Sequence, residues 1–111
     1  MNSLKLLNFE ESIYVIKKLL ENEHLEFTFK GSSMLPTIKP GTRLVVSGYD
    51  KLTIGKIYVY IDRDPDSISK IVCHRLYKVN KPMYYFKGDN RRNIDNPIGR
   101  EDIIGEVVYW N

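Results

Sequence analysis

Between Phe9 and Leu20 the apolar positions recur at helical spacing. Phe9, Ile13, Ile16 and Leu20 fall on one face with Leu19 beside them, while Glu10, Lys17 and Lys18 point elsewhere. Asn8 with Glu11 three residues later is a capping-box pattern, which predicts where the helix starts. From Leu25 the period drops to two. Leu25, Phe27 and Phe29 alternate with Glu26, Thr28 and Lys30, and a loop punctuated by Pro36, Pro40 and Gly41 follows. Leu44–Val46 is a short apolar strand, and Lys56–Asp62 alternates Ile57, Val59 and Ile61 against Tyr58 and Tyr60. A turn over Asp62–Ser67 leads to a long strand over Ile68–Val79. Lys81-Pro82 marks the next turn, before a strand at Met83–Lys87. Gly88–Gly99 reads as a polar loop, and Ile103–Trp110 closes the chain as a strand. One helix followed by about six short strands predicts a mainly β fold. The organisation expected is an N-terminal amphipathic helical segment over residues 1–24 and one β domain over residues 25–111.

Composition narrows the class without changing this picture. With 111 residues there is room for one core and little more. Hydrophobic residues at 42% against 28% charged mark a folded rather than a disordered chain. The net charge of +3 is small and its cations are spread along the chain, so no nucleic-acid partner is expected. Cys73 is the only cysteine and cannot form an internal disulfide, which fits a reducing compartment. No apolar run approaches the ~20 residues of a membrane span. The N-terminus is broken by charges and lacks the apolar centre of a secretory signal. The expected location is cytoplasmic, with peripheral membrane attachment as a variant. That variant would use the Phe9–Leu20 face to dock on a membrane-associated or protein partner. Glu10, Glu11, Glu21, Glu23 and Glu26 disfavour direct contact with anionic lipid, and a helix packed on its own domain is the simpler reading.

Three polar clusters, each bounded by strands, could carry chemistry: Gly31–Thr37, Cys73-His74-Arg75 and Lys87–Asp95. Each alone has an ordinary explanation. A serine pair after glycine is usually a turn, a lone histidine in a strand is usually structural, and Gly-Asp-Asn is a turn sequence. No Cys/His cluster has metal-ligand spacing, and no cofactor is expected. Cys73 and His74 are strand neighbours and point to opposite faces, so Cys73 is expected in the core rather than in a dyad. His24, in a Glu-rich stretch, is expected to be solvated.

Taken together and in order, the clusters resemble signal peptidases. Gly31-Ser32-Ser33-Met34-Leu35-Pro36-Thr37, with Lys39-Pro40-Gly41 after it, looks like their nucleophile box. Its Ser-Met core also occurs in LexA-type self-cleaving repressors. Gly55–Tyr60 resembles the strand after the next glycine turn, and Ile71–Leu76 resembles the base box. Gly88-Asp89-Asn90-Arg91 with Asp95, then Ile104–Val107, resemble the final box and closing strand. The resemblance runs from Phe27 to Val108. His74 before Arg75 is similar to the archaeal and endoplasmic-reticulum branch, where bacterial enzymes generally carry lysine; the Gly-Asp-Asn-Arg start looks more bacterial.

The resemblance implies a signal-peptidase/LexA-like β fold and a serine endopeptidase with Ser33 as nucleophile, His74 as base and Asp95 as the group that orients the imidazole. Histidine suits this role because its ordinary pKa of ~6.5 lies near working pH. Asp89 is the fallback for Asp95; its usual part in the motif is structural, in a turn with Gly88 and Asn90. Ser32 is the rival nucleophile. The Ser33 N–H is the expected oxyanion donor, and the side-chain donor that many relatives place two residues earlier is missing at Gly31. Ser32, Met34 and Leu35 are expected at the substrate groove, with Met34 and Leu35 exposed if the loop is. The implied substrate is a peptide or protein precursor that loses a leader or signal segment. Residues 1–24 are too short for the DNA-binding domain of a self-cleaving repressor. Two alternatives stand beside the enzyme: a non-catalytic peptide-binding module with the same fold, and an accessory subunit of a membrane complex.

Overall fold

The structure, a computed structural model, describes residues 8–66 and 68–111. Residues 1–7 of the predicted helical segment and Ser67 of the predicted turn lie outside the described residues. The elements are α1 (Phe9–Leu19), β1 (Leu25–Thr28), β2 (Arg43–Ser47), β3 (Ile57–Asp62), β4 (Lys70–Asn80), β5 (Met83–Lys87), β6 (Ile98–Gly99) and β7 (Ile103–Trp110). A single 3-10 turn, Arg100–Asp102, joins β6 to β7. The mainly β expectation holds.

Asn8 caps α1 as its sequence pattern predicts. Its side chain accepts from the Glu11 N–H, and the Glu11 carboxylate accepts from the Asn8 N–H. The inner face is narrower than the apolar stripe suggests. Ile13 and Leu20 are buried and Ile16 packs behind them, but Phe9 and Leu19 remain more than a third exposed. Arg63 fastens the start of the helix, pairing with Glu10 on one side and Asp102 on the other. Lys17 holds the later part by donating to the Glu101 carbonyl.

All seven strands form one antiparallel sheet in the order β1-β2-β7-β3-β4-β5-β6. The seventh strand, β6, lies inside the stretch expected to be a polar loop. β3 sits between β7 and β4, and both of its faces are covered. Ile57, Val59 and Ile61 join one core with Ile13, Leu20 and Met34; Tyr58 and Tyr60 join a second with Leu76, Phe86 and Ile103. Period-two alternation therefore reports two buried faces here, not one buried and one wet. Three bulges interrupt the ladders, and two of them, at Val59/Tyr60 and Leu76/Lys78, flank the segment that carries the polar site.

The helix orientation makes a direct prediction. Ile13→Ala empties a buried position and should cost about 2–4 kcal/mol of unfolding free energy. Val15→Ala, on the outer face, should change it by less than about 0.5 kcal/mol. Urea denaturation checks this; equal losses would contradict the packing of α1.

Candidate active site

Period two along β4 sorts its side chains. Cys73 goes to the core that includes Val59 and Met34, while His74 turns to the opposite face, beside Leu76 and opposite Tyr58. His74 is only 8% exposed, so both ring nitrogens need partners, and both have them. Nε2 lies 2.9 Å from Ser33 Oγ, and Nδ1 lies 2.5 Å from Asp95 Oδ2. The three residues come from the loop after β1, from mid-β4 and from the loop after β5.

Chemistry assigns the protons. Burial pushes the Asp95 carboxyl up, but hydrogen bonds from His74 and Tyr60, with the nearby charge of Arg91, outweigh it and hold the group below its ordinary value. Ionised Asp95 can only accept, so the proton on Nδ1 belongs to the ring and the Nε2 lone pair faces Ser33. The Ser33 hydroxyl donates to it. This is the tautomer in which an imidazole can take a proton from a serine. Tyr60 was not among the candidates, yet its hydroxyl donates to the same Asp95 oxygen at 2.5 Å and lies 3.2 Å from Nδ1. In the sequence Tyr60 falls on the side of β3 that alternates with Ile57, Val59 and Ile61, a position that carries no signal of chemistry.

Direct contact between two loops brings the site together. The Asn90 N–H donates to the Ser33 carbonyl at 2.8 Å, and the Asn90 side chain donates to the Ser32 carbonyl. Gly88 makes the approach possible. A Cβ there would sit 2.7 Å from the Ser33 carbonyl oxygen and 3.1 Å from His74 Nε2. Its role is close contact, whereas at Gly31 the reason is conformation. Gly31 has φ of 101°, a region L-residues rarely adopt, with open space around the missing side chain. That backbone explains why this position carries no hydroxyl.

One expectation needs correcting. Met34 is fully buried rather than groove-lining; it packs into the core with Ile38, and its sulfur accepts from the Asp89 N–H. A side chain three positions after a turn glycine can still point inward, and the loop uses it as its anchor. Leu35 is half-buried. Asp89 does not face the imidazole. Arg75 grips it with two hydrogen bonds, 2.9 and 2.7 Å, and Thr37 donates to it at 2.6 Å. These bonds tie the nucleophile loop, β4 and the final loop together, which suits the structural role expected of the Gly88-Asp89-Asn90 turn. Of the serine pair, Ser33 faces His74, and exposed Ser32 contributes its carbonyl to the Asn90 contact.

Cys73 is buried, and that burial pushes its thiol up to about 12, so it stays protonated in the core. His24 is exposed. Among the described residues no group of His, Cys, Asp and Glu is arranged to hold a metal, and no helix is long and apolar enough to cross a membrane. A cleft lies elsewhere, between α1 and the turn after β2, lined by Lys17, Glu21, Asp50 and Arg100 among others. Ser33 is half-buried and His74 is buried, and neither lines that cleft. The Ser33 N–H has no acceptor among the described residues.

The Asp89 clamp generates a pH prediction. The Arg75 guanidinium holds the Asp89 carboxyl below its ordinary value against the effect of burial, with Thr37 assisting. A depressed folded-state pKa gives stability that is complete above the unfolded value of ~3.9 and lost as pH falls through the folded value. Asp89→Asn should lower unfolding free energy by about 1–2 kcal/mol at pH 7 and flatten the acid limb below about pH 4 relative to the parent. Parallel stability–pH curves for the two proteins would contradict the clamp.

The model of the Peptidase S24-like family matches residues 1–108. No curated protein and no solved structure matches the chain. The match runs from α1 into β7 and takes in all three polar clusters, and the chain belongs to the Peptidase S24-like family.

Proposed function

We propose that the protein is a serine endopeptidase that removes a leader or signal segment from a peptide or protein precursor, with Ser33 as nucleophile, His74 as base and Asp95 as its orienting carboxylate. The observation that carries this reading is the unbroken line Ser33 Oγ–His74–Asp95, at 2.9 and 2.5 Å. Membership of the Peptidase S24-like family supports it. The His-type base box, unlike a lysine, needs no desolvation to work near neutral pH.

The steps follow from the geometry. His74 Nε2 takes the Ser33 proton as Oγ attacks the scissile carbonyl carbon and a C–O bond forms. The Ser33 N–H, which has no acceptor among the described residues, is the donor to the resulting oxyanion in this reading. Asp95 stabilises the imidazolium without taking its proton. As the intermediate collapses, the C–N bond breaks and His74 protonates the departing amine. Water, deprotonated by the same Nε2, then releases the acyl group from Ser33. β1 is an edge strand leading into the Ser33 loop, and an extended peptide can add along its free side.

Gly31 favours one second reading. Without a side-chain donor at that position the domain could hold peptides without cleaving them. One experiment separates the two: labelling with a fluorophosphonate, read by intact mass and peptide mapping. One adduct on Ser33 is expected, with Ser33→Ala unlabelled and inactive on precursor peptides, and with His74→Ala slowed by at least about 100-fold. An unlabelled parent protein whose Ser33→Ala variant still binds peptide and keeps its biological effect would favour the binding module.

A further inference from the structure

Tyr60 has no place in the reading above, and its surroundings are unusual for a core tyrosine. It is 1% exposed, its ring stacks on Phe86 at 4.3 Å, and His74 meets it edge-on at 6.2 Å. The ring is thus held by packing, and the position of its hydroxyl is set by β3 rather than by the loop it touches. Asp95 is different. It lies in the irregular stretch between β5 and β6, fixed at its backbone by an N–H to the Phe86 carbonyl, and its side chain keeps a quarter of its exposure. One acceptor atom, Asp95 Oδ2, receives both the Tyr60 hydroxyl and His74 Nδ1.

We infer that Tyr60 is a positioning residue of the catalytic centre, pinning the one Asp95 oxygen that orients His74. The inference rests on the peptidase reading of Ser33, His74 and Asp95. Three consequences follow from the convergence of two donors on one oxygen. The carboxylate cannot rotate Oδ2 away from His74 without also breaking the tyrosine bond. The second donor stabilises Asp95 as an anion, so it remains an acceptor from Nδ1. The phenol itself cannot compete for that role by ionising, because burial, and then the hydrogen bond to Asp95, push it well above its ordinary range. The charged and titratable groups bearing on the pair are His74 from β4, Arg91 from the same loop as Asp95, and Asp62 and Cys73 from β3 and β4. A rigid strand residue thereby holds the orienting group of a loop in register with a base on the neighbouring strand, the support a preorganised site needs.

Tyr60→Phe removes one oxygen atom and keeps the ring. Two measurements on the full chain test it: the rate of fluorophosphonate labelling at Ser33, and titration of the Asp95 carboxyl by carbon NMR. The expected result is labelling about tenfold slower, the worth of one hydrogen bond to a charged group, and an Asp95 midpoint moved upward. A purely structural tyrosine would leave the Asp95 titration in place. Parent and variant labelled at equal rates, or an unmoved Asp95 midpoint, would overturn the role of Tyr60 and leave the peptidase reading standing. An unlabelled parent would overturn both. If Tyr60→Phe does not fold, Asp95→Asn in the parent provides the second route. The Tyr60 hydroxyl proton should exchange slowly in the parent and faster in that variant; equal exchange would overturn the contact.

Discussion

The Asn90 N–H to Ser33 carbonyl bond, made across a glycine with no room for a side chain, is the contact on which the site depends. Ser33 and His74 are 41 positions apart in the chain, and no regular element joins them directly. The ladder fixes His74, because β4 is paired on both sides by β3 and β5. Ser33 sits in a loop that would otherwise be free to settle elsewhere. The final loop closes over it through Asn90 and Gly88, and the same loop carries Asp95. A single docking event therefore brings Ser33 and Asp95 to opposite nitrogens of one buried ring.

Burial and polarity divide the work around that contact. Below the loop, Met34 and Ile38 anchor the nucleophile segment in the core, so its polar tip is held by apolar packing. Beside it, Asp89 is spent on Arg75 and Thr37 and locks the loop bases together. Asp95 is left for the imidazole. Two carboxylates six positions apart thus take different parts because different partners face them: a guanidinium at one, an imidazole at the other. Pairing Asp89 elsewhere also keeps a second acceptor from competing for the His74 proton.

Much of this was legible in the residues. The Asn8/Glu11 box marked the helix start, alternation and apolar runs between turn signals marked six of the strands, and the family resemblance carried by the three polar clusters pointed to Ser33, His74 and Asp95. The remainder was hidden for identifiable reasons. β6 is two residues long, after Pro97, too short for any period to register. The pattern at Met34 could not tell inward from outward, because a loop has no fixed period. Tyr58 and Tyr60 read as the polar side of an alternating strand, since only the pairing of β4 with β5 supplies Leu76 and Phe86 to cover them. Tyr60 escaped notice for that reason: its contact with Asp95 spans 35 positions and depends on where a loop lands. The choice between Asp89 and Asp95 likewise depended on which one Arg75 reaches.

The central claim is that the nitrogen facing Ser33 carries a lone pair, and nitrogen NMR of a histidine-labelled sample reads it directly. At about pH 8, where a histidine ring is ordinarily neutral, His74 should be protonated on Nδ1, with a downfield proton on that nitrogen and none on Nε2. A ring protonated on Nε2 would present Ser33 with a donor that cannot accept its proton, and would contradict the assignment of His74 as the base.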